Sequence, residues 1–153
     1  MTAARIGAGI VLLLAAGRAG ATLGEPAATV DADGALLKGS HRVAQSQAAR
    51  LQVHTITLAD GSAVREYVAP SGIVFAVAWS TRLKPRLETL LGSHAPAYAA
   101  AASAALARPG VRHGVSLSSG DLVVQASAHL NAHAGLAYLK SLVPDGVRID
   151  ELH

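Results

Sequence analysis

The stretch LQVHTITLADGSAVREYVAPSGIVFAVAW, residues 51–79, carries the strongest structural pattern of the chain. It opens with a run rich in β-branched side chains, and residues 64–68 alternate apolar and polar side chains, as half-buried strands do. Asp60-Gly61 favours a tight hairpin turn because glycine adopts positive φ at no steric cost. A second turn at Pro70-Ser71-Gly72 precedes residues 73–79, which are apolar on both faces. The stretch predicts a three-stranded antiparallel meander.

The sequence before this meander is harder to assign. Residues 27–38 allow a helix, although Gly34 weakens it, and residues 39–50 read as a loop or a frayed helix.

After the meander the apolar spacing becomes helical. Pro85 suits the start of a helix, leucines follow at helical spacing, and Gly92 is a stop signal. A second, alanine-rich helix is predicted over residues 95–107. Strands are then expected at about 115–117, 122–128 and 130–138, with turns at Ser119-Gly120-Asp121 and near His129, and one helical turn at about 139–143. The expected fold class is therefore α+β: an antiparallel sheet of about five or six strands with helices packed on it.

The N-terminus has the three parts of a secretory signal. Arg5 supplies a positive start, an uncharged apolar stretch follows, and Ala19-Gly20-Ala21 offers the small side chains of a cleavage site. The apolar stretch is shorter than a membrane-spanning helix requires, and Arg18 interrupts it. We expect a signal peptide at 1–21, one globular domain at 22–153, a periplasmic or secreted location, and no membrane span in the mature chain.

Composition excludes several classes of function. The 153 residues include no cysteine, so a disulfide, a thiolate nucleophile and a cysteine-based zinc site are ruled out. Loss of residues 1–21 leaves 11 basic and 10 acidic residues, without a basic cluster. Nucleic-acid binding needs several cations on one face, so we expect none. No motif for a cofactor is present.

Three groups of polar residues are candidates for a catalytic or metal site. His129 and His133 would share a face of a helix or strand, but a metal site needs a third ligand, so we expect solvent-facing side chains. Ser116, Ser118 and Ser119 lie near Asp121 and His113, but the nucleophile elbow is absent, and a polar turn is the preferred interpretation. Carboxylate pairs such as Glu66 and Glu88, or Asp31 and Asp33, lack the aromatic cleft of a glycosidase.

A weak binding site is suggested by Arg65 and Tyr67, which share one face of the second predicted strand, with Trp79 nearby. A cation and a phenol on one face could recognise a carboxylate or a glycan hydroxyl, but they are also ordinary surface residues of a sheet.

The motif Arg65-Glu66-Tyr67-Val68, followed by residues 70–79, resembles the central signature of a family of small exported proteobacterial proteins. That family is known as domain of unknown function, number 2844. Residues 90–92, 122–125, and 135–139 leading to 142–147 fit it too, except that Leu136 stands where a basic residue is expected. The resemblance implies export and a single domain, but no activity, cofactor or catalytic residue.

The sequence is therefore interpreted as an exported, non-enzymatic module that binds an unknown protein or envelope partner, because no constellation meets the demands of a catalytic site. The alternatives are a small hydrolase that uses the Ser/His/Asp set and a histidine-based metal carrier.

Overall fold

A single antiparallel sheet of seven strands organises the molecule. A computed structural model describes residues 23–30, 35, 37–46, 51–107 and 114–152. The strands are β1 (Ser40–Ser46), β2 (Leu51–Thr57), β3 (Ala63–Val68), β4 (Val74–Thr81), β5 (Gly114–Ser119), β6 (Leu122–His129) and β7 (Ala132–Leu139). Two α-helices, α1 (Leu87–Leu91) and α2 (Ala95–Leu106), lie between β4 and β5 in the chain. Among the described residues no helix is long and apolar enough to cross a membrane.

The strand order β1-β2-β3-β4-β7-β6-β5 divides the sheet into two meanders. Strands β1 to β4 form the first and β5 to β7 form the second. The two meet where β7 pairs antiparallel with β4, from Ala76 opposite Tyr138 to Thr81 opposite His133. The last strand of each meander thus lies at the centre of the sheet, and β1 and β5 are its edges.

The predicted meander over residues 51–79 is confirmed, together with both of its turns. Gly61 has a φ of 82° and Gly72 a φ of 81°, a region that favours glycine. The Asp60 carboxylate accepts hydrogen bonds from the backbone N–H and the hydroxyl of Ser62, each at 2.9 Å, which fixes the first turn.

The predicted fold class is wrong. The sheet has seven strands rather than five or six, and these strands of six to eight residues dominate over described α-helices of five and twelve residues. The protein is mostly β. The missed strand is β1, which falls in the range that we expected to be loop or frayed helix. Residues 42–45 are all exposed, so an edge strand here needs no apolar alternation, and the pattern that reveals strands is absent.

The other predicted elements are largely found. Both helices after residue 85 are present, and the predicted turn at 139–143 is a 3-10 turn at Lys140–Leu142. The predicted helix at 27–38 begins as a 3-10 turn at Ala27–Thr29, and residues 31–34 and 36 lie outside the described residues.

The sheet has two faces, each with its own core. We call the side that carries Val64, Val77 and Ala137 the helix face. It is covered by α1 and by the N-terminal segment, whose Leu23 and Val30 are fully buried. We call the other side, with Tyr67, Ala76 and Leu136, the tail face. Residues 140–152, the C-terminal segment, cover one end of the tail face, with Leu152 buried in its core.

A close approach of an indole to backbone fixes the middle of the helix face. Trp79 is opposite Gly135 in the β4–β7 pairing, and its indole lies over this glycine. A Cβ at Gly135 would come within 2.6 Å of Trp79 Cε2 and of the Gln125 carbonyl oxygen. Only glycine fits here, because real Cβ atoms do not approach other heavy atoms so closely.

Candidate functional site

The register of the sheet creates a polar row across the tail face. Residues paired between antiparallel strands point to the same side, so a line of partners can be followed from one edge to the other. We call this line the central row; in order from β1 to β5 it consists of Arg42, Thr55, Arg65, Ala78, Leu136, Gln125 and Ser116. Five of its seven members are polar or charged, although a sheet face under a covering segment is normally apolar.

Part of this row forms the floor of an open groove of about 810 Å³, which we call the tail-face groove. The groove extends from β3 to β5. Its polar lining is made by Arg65, Ser80, Ser116, Gln125 and Ser127, and the C-terminal segment forms one wall with Ile149, Asp150 and Leu152.

Arg65 is the cation on the groove floor. It is half-buried on an inner strand, between Thr55 and Ala78. The ion pairs found among the described residues both belong to a different arginine, Arg148. A guanidinium presents several N–H donors and a permanent positive charge, so this position favours a negatively charged ligand group.

The C-terminal segment places one cation and two carboxylates beside the groove, and of these three residues Asp150 lines it. Arg148 Nη2 donates to Asp150 at 2.7 Å, and Arg148 Nη1 lies 3.3 Å from the Glu151 carboxylate. The hydrogen bond from Arg148 lowers the pKa of Asp150, and the same bond raises the pKa of Arg148. Asp150 therefore stays ionised. Arg148 reduces its repulsion of an anion in the groove, but Arg148 is shared with Glu151, so the three groups keep one net negative charge.

The structure separates the three residues proposed as a binding site. Arg65 lines the groove, but Tyr67 is only 6% exposed and packs against Phe75, with ring centroids 6.4 Å apart. Trp79 borders the groove, yet its indole is on the helix face, and the residue is 4% exposed. The predicted cleavage residues Ala19 and Ala21 lie outside the described residues.

His129 and His133 do not share a face. A hairpin turn at Leu130 and Asn131 separates them, so that His129 pairs with Ala132, and His133 with Ala128. Neighbouring residues of a strand point to opposite sides, and the two imidazoles therefore lie on opposite faces of the hairpin. Within the described ranges, no three His, Asp or Glu side chains are grouped closely enough to hold a metal ion.

The serine-rich set around β5 is also spread out. Ser116 and Ser118 point to the tail face, Ser119 points to the helix face, and His113 lies outside the described residues. The Asp121 carboxylate accepts hydrogen bonds from the Ser141 hydroxyl at 2.6 Å and its N–H at 2.9 Å. These bonds lower the pKa of Asp121. Asp121 thus anchors the start of the C-terminal segment.

A polar cluster inside the helix face was not predicted from the sequence. Glu66 is fully buried and directly opposite His54, which is 8% exposed. The two imidazoles of His41 and His54 are stacked, with 3.1 Å between His41 Nε2 and His54 Nδ1. The signal was present: Glu66 stands between Val64 and Val68 on the apolar face of its strand, where a carboxylate is rare. With Glu88 exposed on α1, Glu66 is not half of a carboxylate pair in a cleft.

Comparison with known proteins gives one result that names a family. No curated protein and no solved structure matches the chain. A family model described as protein of unknown function (DUF2844) matches residues 19–152, which is most of the chain. The resemblance seen at Arg65-Glu66-Tyr67-Val68 and residues 70–79 is thereby confirmed, and this protein belongs to the DUF2844 family.

Proposed function

We propose that this protein is an exported, non-enzymatic binding module and that the tail-face groove is its binding site. The observation that carries the proposal is the partly buried Arg65 on a groove floor whose other polar groups are neutral hydroxyls and an amide. Such a lining can hold a ligand by charge and hydrogen bonds. A serine hydroxyl acts as a nucleophile only beside a general base, and serine and glutamine side chains do not supply one.

Export is supported by the leader at 1–21, with Arg5 before a short apolar stretch and Ala19-Gly20-Ala21 after it. We propose a periplasmic or secreted location for the mature chain. N-terminal sequencing of the protein purified from each cell fraction tests this step. We expect the mature chain to begin at Thr22 outside the cytoplasm; a cytosolic protein that keeps Met1 contradicts export.

The binding site is tested by photo-crosslinking in cells with the full chain. A diazirine side chain is placed at Ser116 or Ser127 in the groove, because a carbene inserts into C–H and O–H bonds and captures proteins and carbohydrates alike. The matched control position is Ala100, exposed on α2. We expect a discrete adduct from both groove positions that weakens in an Arg65→Gln background and is absent at position 100. No groove adduct, or the same adduct from the control, refutes the assignment of the site.

A further inference from the structure

We infer that the tail-face groove binds a linear carbohydrate that carries carboxylate groups. This inference rests on the proposed function and adds the chemical class of the ligand. It starts from the spacing of the cations. Arg42 and Arg65 belong to the same row of the tail face, two strands apart, which places their Cα atoms roughly 10 Å from each other. Arg42 is exposed and lies outside the groove lining, so the pair suits an anion that repeats along an extended ligand which continues from the groove over β2 to β1.

Neutral hydrogen-bonding groups continue the row beyond Arg65. The groove floor crosses five strands from β3 to β5, a distance of about 19 Å, which is room for several units of a linear polymer. Gln125 and Ser116 lie on this path, and Ser80 and Ser127 flank it. Hydroxyl and amide groups both donate and accept, as a ligand rich in hydroxyl groups requires.

Recognition here does not use aromatic stacking. Tyr67 is covered, the indole of Trp79 is on the opposite face, and Tyr138 lies on the tail face but outside the groove lining. No described aromatic ring therefore forms a platform on the groove floor. Neutral sugar rings and nucleobases are commonly held by such platforms. Without one, charge must supply the affinity, which favours an acidic carbohydrate over a neutral one.

The direction of the groove argues against a peptide. A peptide in an extended conformation gains main-chain hydrogen bonds at the edge of a sheet, along a strand. The tail-face groove instead runs across the strands, and on β3, β4, β7 and β6 its floor consists of side chains whose backbone groups are already paired on both sides. Only its far end, at Ser116, lies on an edge strand, β5. Apart from Ala78 and Leu136, the central row also lacks the apolar pockets that would hold peptide side chains.

The inference is tested by isothermal titration of the mature chain, residues 22–153, with oligogalacturonate and oligomannuronate and with their methyl esters. We expect binding of at least one acid form, weakened at least about tenfold by esterification and by Arg65→Gln, because each removes a charge-assisted hydrogen bond. Arg82→Gln is the matched control, since Arg82 is exposed and outside the groove, and it should change affinity less than about twofold. Raising the salt concentration should weaken binding.

Several results of the titrations would contradict the inference. Equal affinity for acid and ester, equal effects of Arg65→Gln and Arg82→Gln, or no affinity for either acid overturns the carbohydrate assignment. So does preferential binding of hexaglutamate, which would make the ligand an acidic peptide. In each of these cases the crosslinks from positions 116 and 127 still report whether the groove is a binding site, so the two proposals fail separately.

Discussion

The two faces of the sheet differ in how completely they are buried. The helix face carries the larger apolar core and still contains a fully buried carboxylate, Glu66. The tail face is covered only at one end by the C-terminal segment, and its remaining floor is a row of polar side chains around Arg65. The larger core therefore lies on the helix face, and part of the tail face is left open to solvent.

Truncation of Trp79 should show most clearly that the helix face contributes more to stability than the tail face. We expect Trp79→Ala to lower the free energy of unfolding by about 3–5 kcal/mol, because the buried indole fills the centre of the helix face. Ser116→Ala on the groove floor should cost no more than about 0.5 kcal/mol. Urea denaturation of both variants checks the difference. Similar costs for the two would mean that the faces do not differ in their contribution to stability.

A smaller effect is expected from adding a single methyl group at Gly135. Gly135→Ala should cost about 1–3 kcal/mol, since the new Cβ collides with the indole and with the Gln125 carbonyl. Gly114→Ala is the control on an edge strand, where a Cβ meets its nearest neighbour at an ordinary 3.6 Å. A double-mutant cycle with Trp79→Leu should recover part of the loss. Additive costs would show that the indole is not the source of the strain.

A smaller change in the free energy of unfolding is expected from the polar cluster inside the helix face. His54→Phe keeps a ring of similar size but removes the hydrogen bond to His41, and we expect a loss of about 0.5–1.5 kcal/mol of unfolding free energy. In a cycle with His41→Phe, the second substitution should cost less after the first. His133→Phe, on a half-exposed residue of β7, provides the comparison. Independent effects at positions 41 and 54 would argue against a shared bond.

The smallest effect concerns the anchor of the C-terminal segment. The hydrogen bonds from Ser141 lower the pKa of Asp121 below its ordinary value of 3.8, so this stabilisation is present above that value and is lost as the pH falls through the lowered pKa. Thermal unfolding between pH 7 and pH 2 should show Asp121→Asn less stable than wild type at neutral pH and similar to it in acid. Ser141→Ala should behave alike. A constant difference at every pH would contradict the role of the carboxylate.

Local signals account for what could be predicted from the sequence. Residues 51–79 combine alternating side chains with glycines at the turns, and each signal reports directly on backbone conformation. Strand β1 gave no such signal, because an edge strand with exposed side chains obeys no apolar period. The hairpin between His129 and His133 places Leu130, rather than glycine, at a φ of 48°, and the opposite placement of the two histidines followed from it.

The candidate site could not be predicted from the sequence, because it is built from residues that are far apart in the chain. Arg65 was identified as a surface cation on one face of its strand, but its groove depends on Gln125 and Ser116, which reach it only through the pairing of β4 with β7. Tyr67 and Trp79 were misleading for the same reason. Both are buried: Tyr67 belongs to a core that includes the C-terminal segment, and the Trp79 indole packs over Gly135, and both of these partners are remote in the chain.

The single pairing between β4 and β7 also has a consequence for how the chain acquires its shape. Five of the six strand pairings join neighbours in the chain, and each needs only a short loop to close. The sixth brings together segments more than fifty residues apart, so it carries the largest entropic cost of closure. We expect the two halves to collapse separately and their docking along this seam to limit the rate, so that the groove, which spans the seam, is completed last.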